Sequence, residues 1–118
     1  MGKPLHTVAL TAGFIAQAQD EGMTGAEIEA VVQTLAADPG AGDLIRGSGG
    51  CRKLRIAGRG KGKSGGYRVV TFYARPSMPV YVFAVLSKGS RENFSDAEVA
   101  AMAKATKAIL AQHQKAAG

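Results

Sequence analysis

Three runs of β-branched, aromatic and aliphatic residues follow one another in the middle of this chain, at 51–57, 67–75 and 80–87. Only a Gly/Lys loop and the turn Pro76-Ser77-Met78-Pro79 separate them. Runs of this composition bounded by turn residues read as strands. Connections this short favour antiparallel neighbours, because a parallel pair needs a long crossover. A small antiparallel sheet is therefore the centre of the fold, and the flanking segments have to cover it.

Those flanks read mainly as helix. Residues 5–10 form a short apolar run that makes a first strand. A helix follows from near Thr11 to about Gly22, with Phe14, Ile15 and Ala18 on one side. Thr24-Gly25-Ala26-Glu27 has the capping-box spacing, in which the Thr hydroxyl and the Glu carboxylate satisfy free amides of the first turn reciprocally. Ile28, Val31, Val32 and Leu35 then recur at helical spacing and stop before Asp38-Pro39-Gly40, where proline disfavours helical geometry in its predecessor. Ser95-Asp96-Ala97-Glu98 is a second capping box. It opens a helix whose apolar stripe is Val99, Met102, Ile109 and Leu110, with His113 continuing it in a packing or surface role. His6, in the first run, reads the same way. The order strand, helix, helix, three strands, helix predicts an α+β fold, with helices segregated from an antiparallel sheet of three strands, or four with the first.

The 118 residues suit one compact domain, 1–118. No stretch approaches the roughly 18–20 consecutive apolar residues of a membrane span, and the N-terminus lacks the sustained apolar region of a secretory signal. The single Cys51 excludes an internal disulfide framework and fits a reducing, cytoplasmic location.

Charge is segregated along the chain. Residues 1–45 hold one Lys against six acids, residues 46–91 hold eleven bases against none, and residues 92–118 balance three against three. The net charge of +6 is thus a local property. Clustering of one sign creates a directed potential that steers a phosphate backbone, so nucleic acid is the leading partner.

The glycines in the basic stretch do not make a nucleotide site. Gly60-Lys61-Gly62-Lys63-Ser64-Gly65 matches the dinucleotide fingerprint in letters, but a strand follows where that motif requires a helix. A P-loop requires glycine five places before Gly62, and Ala57 stands there. What these glycines can do is bring backbone amides and lysines close to an anion. Metal chemistry is equally poorly supplied: one Cys and two His make no zinc set, and the basic stretch offers no carboxylate cluster for a two-metal nuclease. No cofactor is expected, and any phosphodiester cleavage is expected to be metal-free.

Between Cys51 and Val70 the residues become specific. Arg52-Lys53-Leu54-Arg55-Ile56-Ala57, then Gly60-Lys61-Gly62-Lys63-Ser64-Gly65-Gly66-Tyr67-Arg68-Val69, resembles the core of the RelE/HigB-type toxins of bacterial toxin–antitoxin modules. The approach Asp38-Pro39-Gly40-Ala41-Gly42-Asp43-Leu44-Ile45-Arg46-Gly47-Ser48-Gly49-Gly50 is similar to that family's. Val82 to Lys88 and Phe94-Ser95-Asp96-Ala97-Glu98 fall where it has its last strand and final helix start. The resemblance covers roughly residues 24–110.

It implies a ribosome-dependent mRNA endonuclease, silenced by a co-encoded antitoxin, with the RelE-like α+β fold. RNA can be cut by its own 2′-hydroxyl attacking the adjacent phosphate, so the protein must help remove that proton, stabilise the phosphorane and protonate the leaving oxygen. Cations suit the electrostatic work, and a lysine with a depressed pKa among other cations can be the base. Period two puts Lys53 and Arg55 on one face of their strand, with Leu54 and Ile56 on the other. By match to the family motif, Lys53 is the candidate general base, Arg55 and Arg68 clamp phosphate, and Lys88 contributes from the end of the last strand. Arg52, Arg59, Lys61 and Lys63 would hold RNA backbone, Arg91 would stand in for a family arginine, and Phe94 can stack on a base but cannot transfer a proton. The acid step has no assigned residue. Two other readings compete: a ParE-like relative that poisons DNA gyrase, and a non-catalytic RNA-binding or ribosome-binding module. A helix-turn-helix antitoxin, the ribosome and mRNA are the expected partners.

Overall fold

The computed structural model describes residues 5–56, 66–87 and 94–117. Its elements run β1 (Val8–Leu10), α1 (Ala12–Asp20), α2 (Gly25–Ala37), β2 (Asp43–Leu44), β3 (Cys51–Ile56), β4 (Tyr67–Phe72), β5 (Val80–Ser87) and α3 (Asp96–Ala117). The strands form one sheet in the order β1-β5-β4-β3-β2.

β3, β4 and β5 are the expected antiparallel meander. The first run departs from expectation: β1 lies parallel to β5, with Val8 opposite Val80. Such a pairing is permitted here because more than half of the chain intervenes between the two strands and supplies the crossover. β2, two residues long, adds an unexpected fifth strand antiparallel to β3. Strand β4 ends at Phe72, short of the expected 75, where the chain leaves for the turn before Val80.

Caps fix the helix starts. Thr11 accepts from the Phe14 amide at 3.2 Å and donates to the Val82 carbonyl at 2.8 Å, so one hydroxyl begins α1 and ties it to β5. The Thr24/Glu27 box is complete, at 3.1 and 2.8 Å. So is Ser95/Glu98, with the same two distances.

Helices α1 and α2 cover one face of the sheet and α3 the other. On the α1/α2 face, Phe14, Ala18, Val31, Leu35, Val69, Val80 and Val82 are fully buried in one cluster. Full burial of a side chain of this size contributes about 1.5–3 kcal/mol. Ile15, expected on the inner side of α1, is 44% exposed instead. The α3 face holds a second, smaller cluster of Cys51, Val70 and Phe72, against which Met102, Ile109 and Leu110 pack. Among the described residues no helix is long and apolar enough to cross a membrane.

Candidate functional site

Register determines which side chains meet on the α3 face. Cys51 pairs with Phe72 and Phe72 with Tyr81; Lys53 pairs with Val70 and Val70 with Ala84; Arg55 pairs with Arg68 and Arg68 with Leu86. Because residues two apart on a strand share a face, Cys51, Lys53 and Arg55 descend one column. The apolar cluster occupies its upper part and the cations its lower part. Arg55 and Arg68 are register partners, directly opposite each other, and Lys53 is the next residue along the same face. Like charges placed opposite across two strands are destabilising by themselves; an anion between them reverses the sign.

Arg52 does not join this group. It lies on the other face, and its guanidinium donates to the Gly42 carbonyl at 3.0 Å. Gly42 sits at φ 102, and any side chain there would run into the Lys53 carbonyl, so glycine is what lets the β2 edge close on β3. Arg59, Lys61, Lys63, Lys88 and Arg91 lie outside the described residues.

Lys53 opens into a polar cleft of about 370 Å³ between β2 and the start of α3. Asp43, Arg46, Phe94, Asp96 and Val99 line it with Lys53. Phe94 is half-buried against the α3-side cluster and also borders an adjoining, mainly apolar cleft of about 320 Å³ with Val70, Ala84 and Met102. The sequence reading missed Asp43, Arg46 and Asp96 as neighbours of Lys53. The signal for Arg46 was its place in the basic stretch; Asp43 and Asp96 needed the register of β2 and the docking of α3.

The turn from Ile45 to Cys51, which carries Arg46, is pinned by Ser48. Ser48 Oγ donates to the Ile45 carbonyl at 2.6 Å and accepts from the Cys51 amide at 2.9 Å. Gly49, at φ 81, passes so close to α3 that a methyl group would collide with the Thr106 hydroxyl. Burial pushes the Cys51 thiol up to about 11, partly offset by Ser48, so at neutral pH this cysteine is a packed apolar group and no nucleophile.

The Gly-Tyr-Arg core divides between the two faces. While Arg68 joins the cations, Tyr67 turns to α2 and is buried. Burial raises its hydroxyl pKa first, then the negative charges of Glu27 and Glu21, and finally the hydrogen bond it gives the Glu27 carboxylate. Tyr67 thereby braces the start of α2 and does not face the cationic site. The two histidines are also held apart. His6 Nε2 is 2.7 Å from the Met78 carbonyl with its ring edge-on to Tyr73, which packs on the α1/α2 side. His113 Nε2 is 2.7 Å from the Tyr81 hydroxyl on the α3 side. A catalytic histidine pair is therefore not assembled. Among the described residues no group of three or more His, Cys, Asp or Glu is placed to hold a metal ion.

A family model described as the RelE toxin of the RelE/RelB toxin–antitoxin system matches residues 7–117. The chain also superposes on the solved structure of an E. coli toxin RelE mutant in the free state, with a TM-score of 0.56 at 16% sequence identity. That superposition covers 86% of this chain and 97% of the E. coli one, and at this identity it shows a shared fold.

Proposed function

Since this chain belongs to the RelE toxin family of toxin–antitoxin systems, we propose that it inhibits translation by cutting mRNA on the ribosome, with the Lys53, Arg55 and Arg68 face against the RNA. The observation that carries this reading is the register pair Arg55 and Arg68, with Lys53 beside it. Three cations on one face, drawn from a stretch of 48 residues without an acid, match a phosphate in need of charge stabilisation.

The step is an internal transfer. Lys53 takes the proton of the 2′-hydroxyl. The 2′-oxygen forms its bond to phosphorus as the bond from phosphorus to the 5′-oxygen breaks, leaving a 2′,3′-cyclic phosphate and a 5′-hydroxyl that gains one proton. Arg55 and Arg68 hold the non-bridging oxygens, whose charge rises in the transition state, and contribute most there. By match to the family motif, Lys88 would add positive charge for the phosphate and Arg59, Lys61, Lys63 and Arg91 would hold backbone phosphates; all five lie outside the described residues. RNA substrate supplies its own nucleophile, so the three named residues suffice for two of the three tasks, and the proton donor to the 5′-oxygen has no assigned residue.

The protein works as one domain in the cytoplasm, with a cognate antitoxin whose acidic segment covers the cationic face. Its affinity falls as salt rises. The test is a ribosome-containing translation system with mRNA ends mapped after addition of the protein. New 5′-hydroxyl ends within coding sequence are the expected result. Translation arrest with intact mRNA would overturn the nuclease reading, and DNA damage signalling with intact mRNA would replace it with gyrase poisoning.

A further inference from the structure

The acid-free stretch is bounded by Asp43 on one side and by Glu92 on the other, with Asp96 close behind. The fold brings two of these bordering acids back to the cations: Asp43 is the register partner of Lys53, and Asp96, the first residue of α3, lines the same cleft. Both are exposed to solvent. A carboxylate on an RNA-facing surface repels phosphate, so these two work against backbone binding. Toward an N–H donor they are favourable, and in RNA the donors lie on the base edges.

The other lining groups fit the same ligand. Phe94 gives the cleft an aromatic wall, Arg46 supplies N–H donors, and Val99 is apolar. Sequence-specific RNA recognition uses such elements: an unstacked base held on an aromatic side chain and read along its polar edges. Guanine is the best complement to a cleft that has both carboxylates and a guanidinium. Its N1–H and 2-amino group donate, and its O6 and N7 accept, the latter being the usual target of arginine. Uracil offers a single N–H and no amino group. Building on the RNA-cleaving reading above, we infer that this cleft receives one unstacked base of the message and selects guanine, with Asp43 and Asp96 accepting from its donor edge and Arg46 facing its acceptor edge.

Binding of the intact protein to guanosine, inosine and uridine 5′-monophosphates, measured by calorimetry, tests this without any cleavage. Guanosine monophosphate is expected to bind about tenfold more tightly than the uridine nucleotide, the discrimination of a good paired contact. The inosine nucleotide, which lacks the 2-amino group, falls between. Asp43→Ala and, separately, Asp96→Ala should reduce the preference to within about twofold while uridine monophosphate binds as well or better, since phosphate repulsion is relieved. A wild-type protein without preference, or variants that gain affinity for all three nucleotides alike, would overturn the inference and leave Asp43 as a cross-strand partner of Lys53 and nothing more. Two variants on different elements guard against one failing to fold, which circular dichroism checks. In the translation system, wild-type ends should cluster at guanine and variant ends should spread to other bases. Cleavage with an unchanged base bias in both variants sinks this inference and spares the nuclease reading; a guanine preference without any cleavage does the reverse.

Discussion

The two faces of the sheet are built from the same three strands and put to opposite uses. Under α1 and α2 the face is closed and mostly apolar, from Phe14 through Val69 to Val85, with Thr71 and Glu27 the buried polar exceptions among the described residues. Under α3 the face is packed only around Cys51, Val70 and Phe72, and further along the same strands it presents Lys53, Arg55 and Arg68. The difference shows how a small domain carries a costly charge cluster. One closed, mostly apolar face supplies the stability, which frees the other to hold like charges at register distance.

The sharpest test of that division is the double change Lys53→Ala with Arg68→Ala. Loss of a proton acceptor and a phosphate ligand is expected to lower translation arrest by at least about 10²–10⁴-fold, with a melting temperature close to that of the wild type. Undiminished arrest in a ribosome-containing system would sink the assignment of this face. Next in size is Leu35→Ala on the closed face, expected to cost about 2–5 kcal/mol in denaturant unfolding. Its counterpart Arg55→Ala should leave stability unchanged or raise it by about 0.2–1 kcal/mol, because a like-charge neighbour of Arg68 is removed. Equal destabilisation by both would mean that the cationic end is also a packing element. Between Leu35→Ala and Arg55→Ala in size is Gly49→Ala, at about 1–3 kcal/mol from the disfavoured backbone and the Thr106 contact. In a double-mutant cycle Thr106→Ala should recover only the part that comes from collision.

The smallest effect concerns Cys51 and pH. Its thiol is raised from 9.0 to about 11 in the folded protein, so between those values the unfolded chain releases a proton that the native state keeps. Stability should therefore be unaffected by this group below pH 9 and decline through that window as pH rises. Cys51→Ala should flatten the decline in an alkaline unfolding series; an unchanged slope would mean that the thiol is not sealed by the α3 cluster.

Local pattern made much of this legible. Both capping boxes, the stripe through Val31 and Leu35, and the alternation that sets Lys53 and Arg55 against Leu54 and Ile56 depend on spacing of a few residues. What depends on distant pairing was hidden. The parallel placement of β1 follows from contacts such as that between His6 and Met78, 72 residues apart. A register shift at Val70/Thr71 leaves Phe83 as an extra residue in β5, so that Phe83 and Ala84 both turn to α3. No alternation rule finds that. Arg52 shows the limit at the site itself: its charge placed it among the RNA ligands, while its parity and Gly42 place it on the opposite face. Asp43 and Asp96 were invisible as a pair because only the folded sheet brings them to one cleft.

The parallel pairing of β1 with β5 also sets an order of events. Val8 cannot meet Val80 until about two-thirds of the chain is available, and contacts of such high sequence separation form slowly because a long loop has to close first. During synthesis the first strand, together with the α1 cap that Thr11 ties to Val82, has to wait for β5 to leave the ribosome. A toxin wired in this way stays unassembled throughout most of its own translation.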